Sequence, residues 1–173
     1  MTKNITLVAI AVAGLFAVQT ASAQTSPVNG LSARVGAFFP TGGAAKAESK
    51  TWLAVGLQYK VRELSVAAKS PTYKAHLAVS VDFYNRNDYR VVPVLVNYVG
   101  ELNEKLFYTA GAGLSFSRKP SGGGTSQNTN FAYTLGVGYN LTSGATPVFV
   151  EGRFFGNDDS SLNGYGLFVG VRF

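Results

Sequence analysis

LNGYGLFVGVRF, Leu162 to Phe173, is the stretch whose two faces decide the fold. Every second residue gives Tyr165, Leu167, Val169, Val171 and Phe173, and the residues between are Gly164, Gly166, Phe168, Gly170 and Arg172. A period of two is the mark of a β-strand, because successive side chains leave opposite faces of the pleat. One face is wholly apolar. The other mixes glycine with a phenylalanine and an arginine. The sequence stops on Phe173 with no polar tail, which suits a strand that closes a sheet.

The amino end agrees. Lys3 supplies a positive start, Ile5–Val18 an apolar run, and Ala21-Ser22-Ala23 a small-residue cleavage site. The run is shorter than the roughly 20 residues of a membrane-spanning helix. Residues 1–23 are therefore expected to be a cleaved secretory signal, with 24–30 a short periplasmic lead-in and 31–173 the folded domain. About 150 residues remain, enough for one domain. The chain has no cysteine, so neither a lipid-modified amino-terminal cysteine nor a disulfide is available. No later segment reads as a spanning helix. In a membrane this chain would have to form a closed barrel, because only closure satisfies every backbone polar group.

Composition narrows the class further. Charged residues are 14% of the chain, against about 25% in ordinary soluble domains. The net charge of +6 is scattered singly, without the basic cluster and interleaved aromatics that mark nucleic-acid binding. Scattered basic residues suit anionic lipid head groups instead.

Alternation recurs along the whole chain. Strand one is Leu31–Phe39, with Leu31, Ala33, Val35, Ala37 and Phe39 on one face. Strand two is Thr51–Val61, with Leu53, Val55, Leu57 and Tyr59 together. Strand three, Thr72–Tyr84, sets Tyr73, Ala75, Leu77, Val79, Val81 and Phe83 against Lys74, His76, Ala78, Ser80 and Asp82. Strand four is Tyr89–Val99, strand five Leu106–Ser117, strand six Asn130–Leu141 and strand seven Pro147–Gly156. Strand eight is the opening stretch. RKPSGGGTSQNT, between strands five and six, reads as a mobile Gly/Ser-rich loop. No helical period interrupts the series. The expected architecture is all-β, an eight-stranded antiparallel up-and-down barrel.

Two barrels fit such a meander. A secreted barrel keeps its apolar face inside, whereas a membrane barrel turns it to lipid. The non-apolar face is mostly Gly, Ala, Ser and Thr, with few charges for a surface meant to meet water. The aromatics of the apolar face sort by height. With odd strands rising from the periplasm, Tyr59, Tyr73, Tyr98, Tyr108, Tyr139 and Phe173 fall near one rim. Phe39, Phe83, Phe116, Phe131, Phe154 and Tyr165 fall near the other. Two aromatic girdles around an aliphatic belt are the pattern of a lipid-facing barrel.

On these residues Leu31–Phe173 resembles the small eight-stranded bacterial outer-membrane barrels of the OmpX and OmpA transmembrane-domain type. The resemblance implies an outer-membrane location with both termini periplasmic, and a surround of outer-membrane lipid including lipopolysaccharide. It also implies handling by the barrel-assembly machinery through the strand ending in Phe173. Several features depart from the pattern. No periplasmic domain is read after the barrel, the upper loops are short, and the Arg62–Pro71 link is long. Pro93 removes a ladder hydrogen bond from strand four, so a bulge is expected there.

Little in the sequence points to chemistry. His76, the single histidine, shares a face with Ser80 and Asp82. Yet Ser80 lies about 13 Å away at strand rise, too far for a nucleophile and its base. His76 is expected in a lumenal hydrogen-bond network. No cofactor or metal site is expected, with one histidine, no cysteine and scattered carboxylates. Asp158-Asp159 suits a solvated loop or a surface calcium ion, and Gly122–Gly124 a flexible loop. The inward face should carry a structural charge network of Arg34, Lys60, Lys74, His76, Asp82, Glu151, Arg153 and Arg172. Glu151 should pair with Arg153, and with Arg34 across the closure of strands eight and one. Eight strands leave an interior that side chains just fill. The leading function is thus non-enzymatic, a structural or surface-interacting outer-membrane barrel with a plugged lumen. A narrow small-solute pore is the alternative, and an envelope-lipid hydrolase comes after it. No extracellular ligand is legible.

Overall fold

The protein is described here as a computed structural model covering residues 29–65, 73–121 and 124–173. The expected signal (1–23), nearly all of the lead-in, the far part of the Arg62–Pro71 link, and Gly122 and Gly123 lie outside the described residues. The strands are β1 (Leu31–Pro40), β2 (Trp52–Leu64), β3 (Lys74–Arg86), β4 (Tyr89–Glu101), β5 (Leu106–Ser121), β6 (Gly124–Asn140), β7 (Val148–Asn157) and β8 (Gly164–Arg172). Each pairs antiparallel with its chain neighbours, and β8 returns to β1, from Ser32 opposite Arg172 to Pro40 opposite Gly164. The result is a closed eight-stranded antiparallel up-and-down barrel.

The barrel is apolar on the outside. Val137 is 68% exposed, Leu167 60% and Leu135 57%, while Asp82 and Glu151 are each 1% exposed. A water-soluble barrel has the reverse distribution. Alternation along each strand sets this polarity, as in β2, where Trp52, Ala54, Gly56 and Gln58 are buried and Leu53, Val55, Leu57 and Tyr59 exposed.

Four expectations need correction. The RKPSGGGTSQNT stretch is mostly strand, since β5 and β6 stay paired out to Ser121 opposite Gly124. This hairpin outruns its neighbours, because β4 stops pairing at Arg118 and β7 at Ala132. Turn residues signal breaks in periodicity, but two polar segments can still pair with each other. The link after strand two is shorter than expected, because β2 continues through Leu64. Pro93 causes no bulge. The β3–β4 ladder lapses between the pairs Val81–Val94 and Tyr84–Val91 and resumes in the same register. The register shift lies instead between Lys60 and Arg62 on β2, leaving Val61 as the extra residue. Lastly, a short helix α1 (Gly43–Glu48) and a 3-10 turn (Ser160–Leu162) occupy the expected β1–β2 and β7–β8 loops.

The lumen is filled in layers, and less of it is small side chains than the composition of the inward face implied. At the end carrying the β1–β2 and β7–β8 loops, Phe38 stacks on Tyr84 with ring centroids 4.5 Å apart. Phe155 meets Tyr84 edge-on at 5.5 Å, and Trp52 lies 5.7 Å from Phe38. Ala45 of α1 and Leu162 cap this cluster, both fully buried. At the end carrying the termini, Phe107 and Phe149 meet edge-on at 5.7 Å beside Ala78 and Val99. The lumenal glycines make room for these rings. A Cβ on Gly138 would lie 2.1 Å from Phe107, and one on Gly170 2.3 Å from Phe149. Each ring therefore occupies the space that its register partner's missing side chain leaves. Arg34, Asp82, Glu151 and Arg153 are held between the two aromatic layers.

Candidate functional site

The central layer begins with a register coincidence. Arg34 on β1 is opposite Gly56 on β2, and Gly56 is opposite Asp82 on β3. The three therefore stand level on adjacent strands. A Cβ on Gly56 would lie 1.9 Å from Asp82 Oδ1 and 2.8 Å from Arg34 Nε, so the missing side chain is the space in which the pair meets. Arg34 donates through Nε to Oδ1 at 2.9 Å and through its terminal nitrogen to Oδ2 at 2.7 Å. This is the two-pronged geometry that a planar guanidinium offers a carboxylate.

Glu151 and Arg153, both on β7, form the second pair, Nε to Oε1 at 2.7 Å. Thr109 Oγ1 donates to the same Glu151 oxygen at 3.1 Å. Gln58 joins the pairs, its Oε1 accepting from Arg153 at 3.1 Å and from Arg34 at 3.4 Å. Arg153 also lies 3.9 Å from Asp82. Two guanidiniums and two carboxylates thus share one buried network whose formal charges cancel. Cancellation is needed, because an unmatched charge at this burial is strongly destabilising.

The expected pairing of Arg34 with Glu151 across the β8–β1 closure does not form. Arg34 reaches Asp82 on the other side, through the gap at Gly56. Gln58 and Thr109 were not anticipated. Both fall on the inward face by alternation, but a count restricted to charges passes over a neutral amide and a hydroxyl.

The other charged residues stand apart from this network, toward the end carrying the termini. Arg172 places its guanidinium 4.2 Å from the Phe107 ring centre and 5.1 Å from that of Phe149. Lys60 pairs with Glu63 at 3.0 Å. Lys74 is exposed. His76 Nδ1 is 4.0 Å from Glu101, beyond hydrogen-bond reach, so it does not enter the network expected for it. Nor do His76, Ser80 and Asp82 converge. Ser80 accepts from Asn97 at 2.8 Å, and both oxygens of Asp82 are taken by Arg34.

Outside, the Tyr73 hydroxyl lies 2.5 Å from that of Tyr98 and 2.8 Å from that of Tyr108. Tyr108 rests over Gly100, where a Cβ would come within 2.4 Å of its ring. Tyr59 and Tyr139 are exposed toward the same end. Phe173 there donates its N–H to Leu31 and accepts from Gly30, at 2.8 and 2.9 Å. Toward the other end, Phe154 meets Tyr165 at 5.3 Å. Phe39, Phe116 and Phe131 are exposed, and Phe83 carries Arg90 over its ring at 5.6 Å.

The long hairpin is tied to the β7–β8 loop. Asp159 accepts from Lys119 of β5 and from the Ser161 N–H at 3.2 Å. Burial pushes the Asp159 carboxyl up, but the bonds from Lys119 and Ser161 outweigh it and hold it below its ordinary range. Asp158 accepts from the Phe131 N–H at 3.2 Å. Both acids are therefore structural partners of the loop end, Asp158 exposed as expected of a solvated loop and Asp159 half-buried.

No protein-family profile and no curated protein matches the sequence. Among solved structures, the N-terminal β-barrel domain of OprF from Pseudomonas aeruginosa is similar at 13% identity and a TM-score of 0.51. The match covers 84% of this chain and 98% of that one. The outer membrane protein Ail of Yersinia pestis in a nanodisc gives 14% identity and a TM-score of 0.47, covering 84% and 99%. A de novo designed transmembrane β-barrel gives 16% and 0.49, covering 86% and 98%. At these identities the likeness is one of fold. This chain has the fold of the small eight-stranded outer-membrane β-barrels of the OmpX and OmpA transmembrane-domain type.

Proposed function

We propose that the protein is exported, loses residues 1–23, and serves as an integral outer-membrane barrel acting through its surface and not through its lumen. The observation that carries this is the filled interior: a charge-balanced network of Arg34, Asp82, Glu151 and Arg153 between two aromatic layers. A lumen filled in this way supports a role at the surface over passage of a solute. The exposed apolar belt supports a surround of outer-membrane lipid including lipopolysaccharide, with both termini on the periplasmic side. The strand ending in Phe173 is then the one that the assembly machinery reads. On this reading the β5–β6 hairpin is the part presented outside the cell. Beyond Arg118 and Ala132 its two strands have only each other as ladder partners, and they expose polar residues from Thr125 to Thr129.

Two measurements test the proposal. An epitope placed between Ser121 and Gly124 should be labelled by antibody on intact cells, and the purified protein should pass no steady current in planar bilayers. Labelling only after the cells are broken would overturn the orientation. A stable open channel would hand the function to the pore reading.

A further inference from the structure

At the end of the barrel opposite the hairpin, the described residues enclose a cavity of about 520 Å³ at the mouth of the lumen. That is within the range of small-ligand sites, about 300–1,000 Å³. Its walls carry Lys60, Lys74, His76 and Arg172 against Glu63 and Glu101. Glu63 is engaged by Lys60. Glu101 stands 3.9 Å from Arg172 and 4.0 Å from His76, too far to hydrogen-bond either. With Lys60 taken by Glu63, two further permanent cations, Lys74 and Arg172, face one carboxylate, Glu101, that Arg172 does not bind closely.

Two features make this mouth a built site. First, Arg172 packs against both Phe107 and Phe149, which orients its guanidinium without using its donors. Among the described residues that guanidinium makes no hydrogen bond. A charged fork held in place by rings, with its N–H groups unspent, is preorganised for an oxyanion. Second, the extra residue Val61 re-aims β2. Lys60 is opposite Ala78 and Glu63 opposite His76, so both face the lumen. In a regular strand, residues three apart would face opposite ways. Bulges are over-represented at barrel rims and beside functional sites.

We propose that this mouth binds a small ligand bearing two or more oxyanion charges, held by Arg172, Lys74 and Lys60, with Glu101 limiting its affinity. The shared chemistry is a phosphate or carboxylate group, from a soluble molecule or a lipid head group.

The test uses the full folded protein, isotope-labelled, in uncharged maltoside micelles, with pyrophosphate as the probe. Saturable shifts are expected at the Arg172 Nε–H and His76 resonances at millimolar concentration, with the Trp52 indole at the far end unmoved. Lys74 is exposed, so Lys74→Gln leaves the fold intact and should weaken binding about threefold, the scale of one partly exposed charge pair. Glu101→Gln should tighten it by about as much. A purely structural mouth would not tighten. A second arm places the protein in phosphatidylcholine nanodiscs with and without cardiolipin, whose head group carries two phosphodiesters. Shifts with pyrophosphate assign a soluble source, and shifts only with cardiolipin assign a head group. No shift in either arm, or variants that bind like wild type, would overturn the proposal.

Discussion

Arg34 and Asp82 stand level on β1 and β3 with the bare backbone of Gly56 between them, and the arginine closes on both carboxylate oxygens at 2.9 and 2.7 Å. The pair exists because the intervening residue has no side chain. Gly56→Ala should therefore separate it and cost about 3–5 kcal/mol, the scale of breaking a buried ion pair. Replacing both partners by apolar residues, Arg34→Met with Asp82→Leu, should cost far less than Asp82→Leu alone. Denaturant unfolding in detergent measures all three. An Asp82→Leu single variant as stable as the double would show that the pair is not coupled.

Glu151 is the other buried acid, and its loss should be felt through Arg153 and Thr109. Glu151→Ala leaves the buried Arg153 charge without its 2.7 Å partner. A loss of about 3–5 kcal/mol is expected, together with a rise in leak current as the plug loosens. Glu151→Gln should keep the packing and lose much of the stability without opening a path. Bilayer recordings on the two variants separate charge from volume.

The Lys119–Asp159 pair gives a pH dependence whose sign can be stated. Its bonds hold the folded Asp159 carboxyl below its ordinary value, near 3.9 for an unperturbed aspartate. The stabilisation is then complete above about pH 4 and is lost as pH falls through the lower folded value. Both side chains are partly exposed, so the contribution is at most about 1 kcal/mol. Carbon-13 titration of Asp159 should give a midpoint below the ordinary value, moving up in Lys119→Met. A wild-type midpoint at or above 3.9 would be incompatible with the pair.

The fold was legible because period-two alternation survives nearly everywhere, and one register fixes both faces of a barrel. Tyr165, Leu167 and Val169 on β8 state the apolar face without help from the rest of the chain. The central network was half legible. Alternation placed Arg34, Asp82, Glu151 and Arg153 inside, but who meets whom depends on the stagger between strands, which no single strand contains. That is why Arg34 was assigned to the β8–β1 side when its partner lies across Gly56. The hairpin was missed for a different reason. Its residues are polar on both faces, so no hydrophobic period marks the strands, and only their mutual pairing makes them so.

Phe173 closes the barrel with two backbone bonds, to Leu31 and from Gly30. Deleting it removes both bonds and about 1.5–3 kcal/mol of aromatic burial. If the assembly machinery also reads this residue, the folded yield in cells should fall more than the yield on refolding into detergent. Equal losses in the two assays would leave Phe173 a packing and closure role alone.

The bulge at Val61 makes a prediction that runs against intuition about deletions. Lys60 pairs with Ala78 and Arg62 with Leu77, so Val61 is the residue that the β3 ladder skips within β2. Removing it brings Arg62 into regular register, and Glu63 still faces the lumen opposite His76, now two positions from Lys60. Every other side chain keeps its face. Removing Val79 from the unbulged part of β3 instead shifts one half of that strand by a residue. Buried Ala78, Ser80 and Asp82 could then no longer all face inward. A closed barrel resists SDS until boiled, because its backbone groups are satisfied internally, and unboiled gel mobility reports it. The Val61 deletion should keep the fast-migrating folded band, and the Val79 deletion should abolish it. Loss of the band in both would mean that Val61 itself, and not the register it relieves, is what the strand requires.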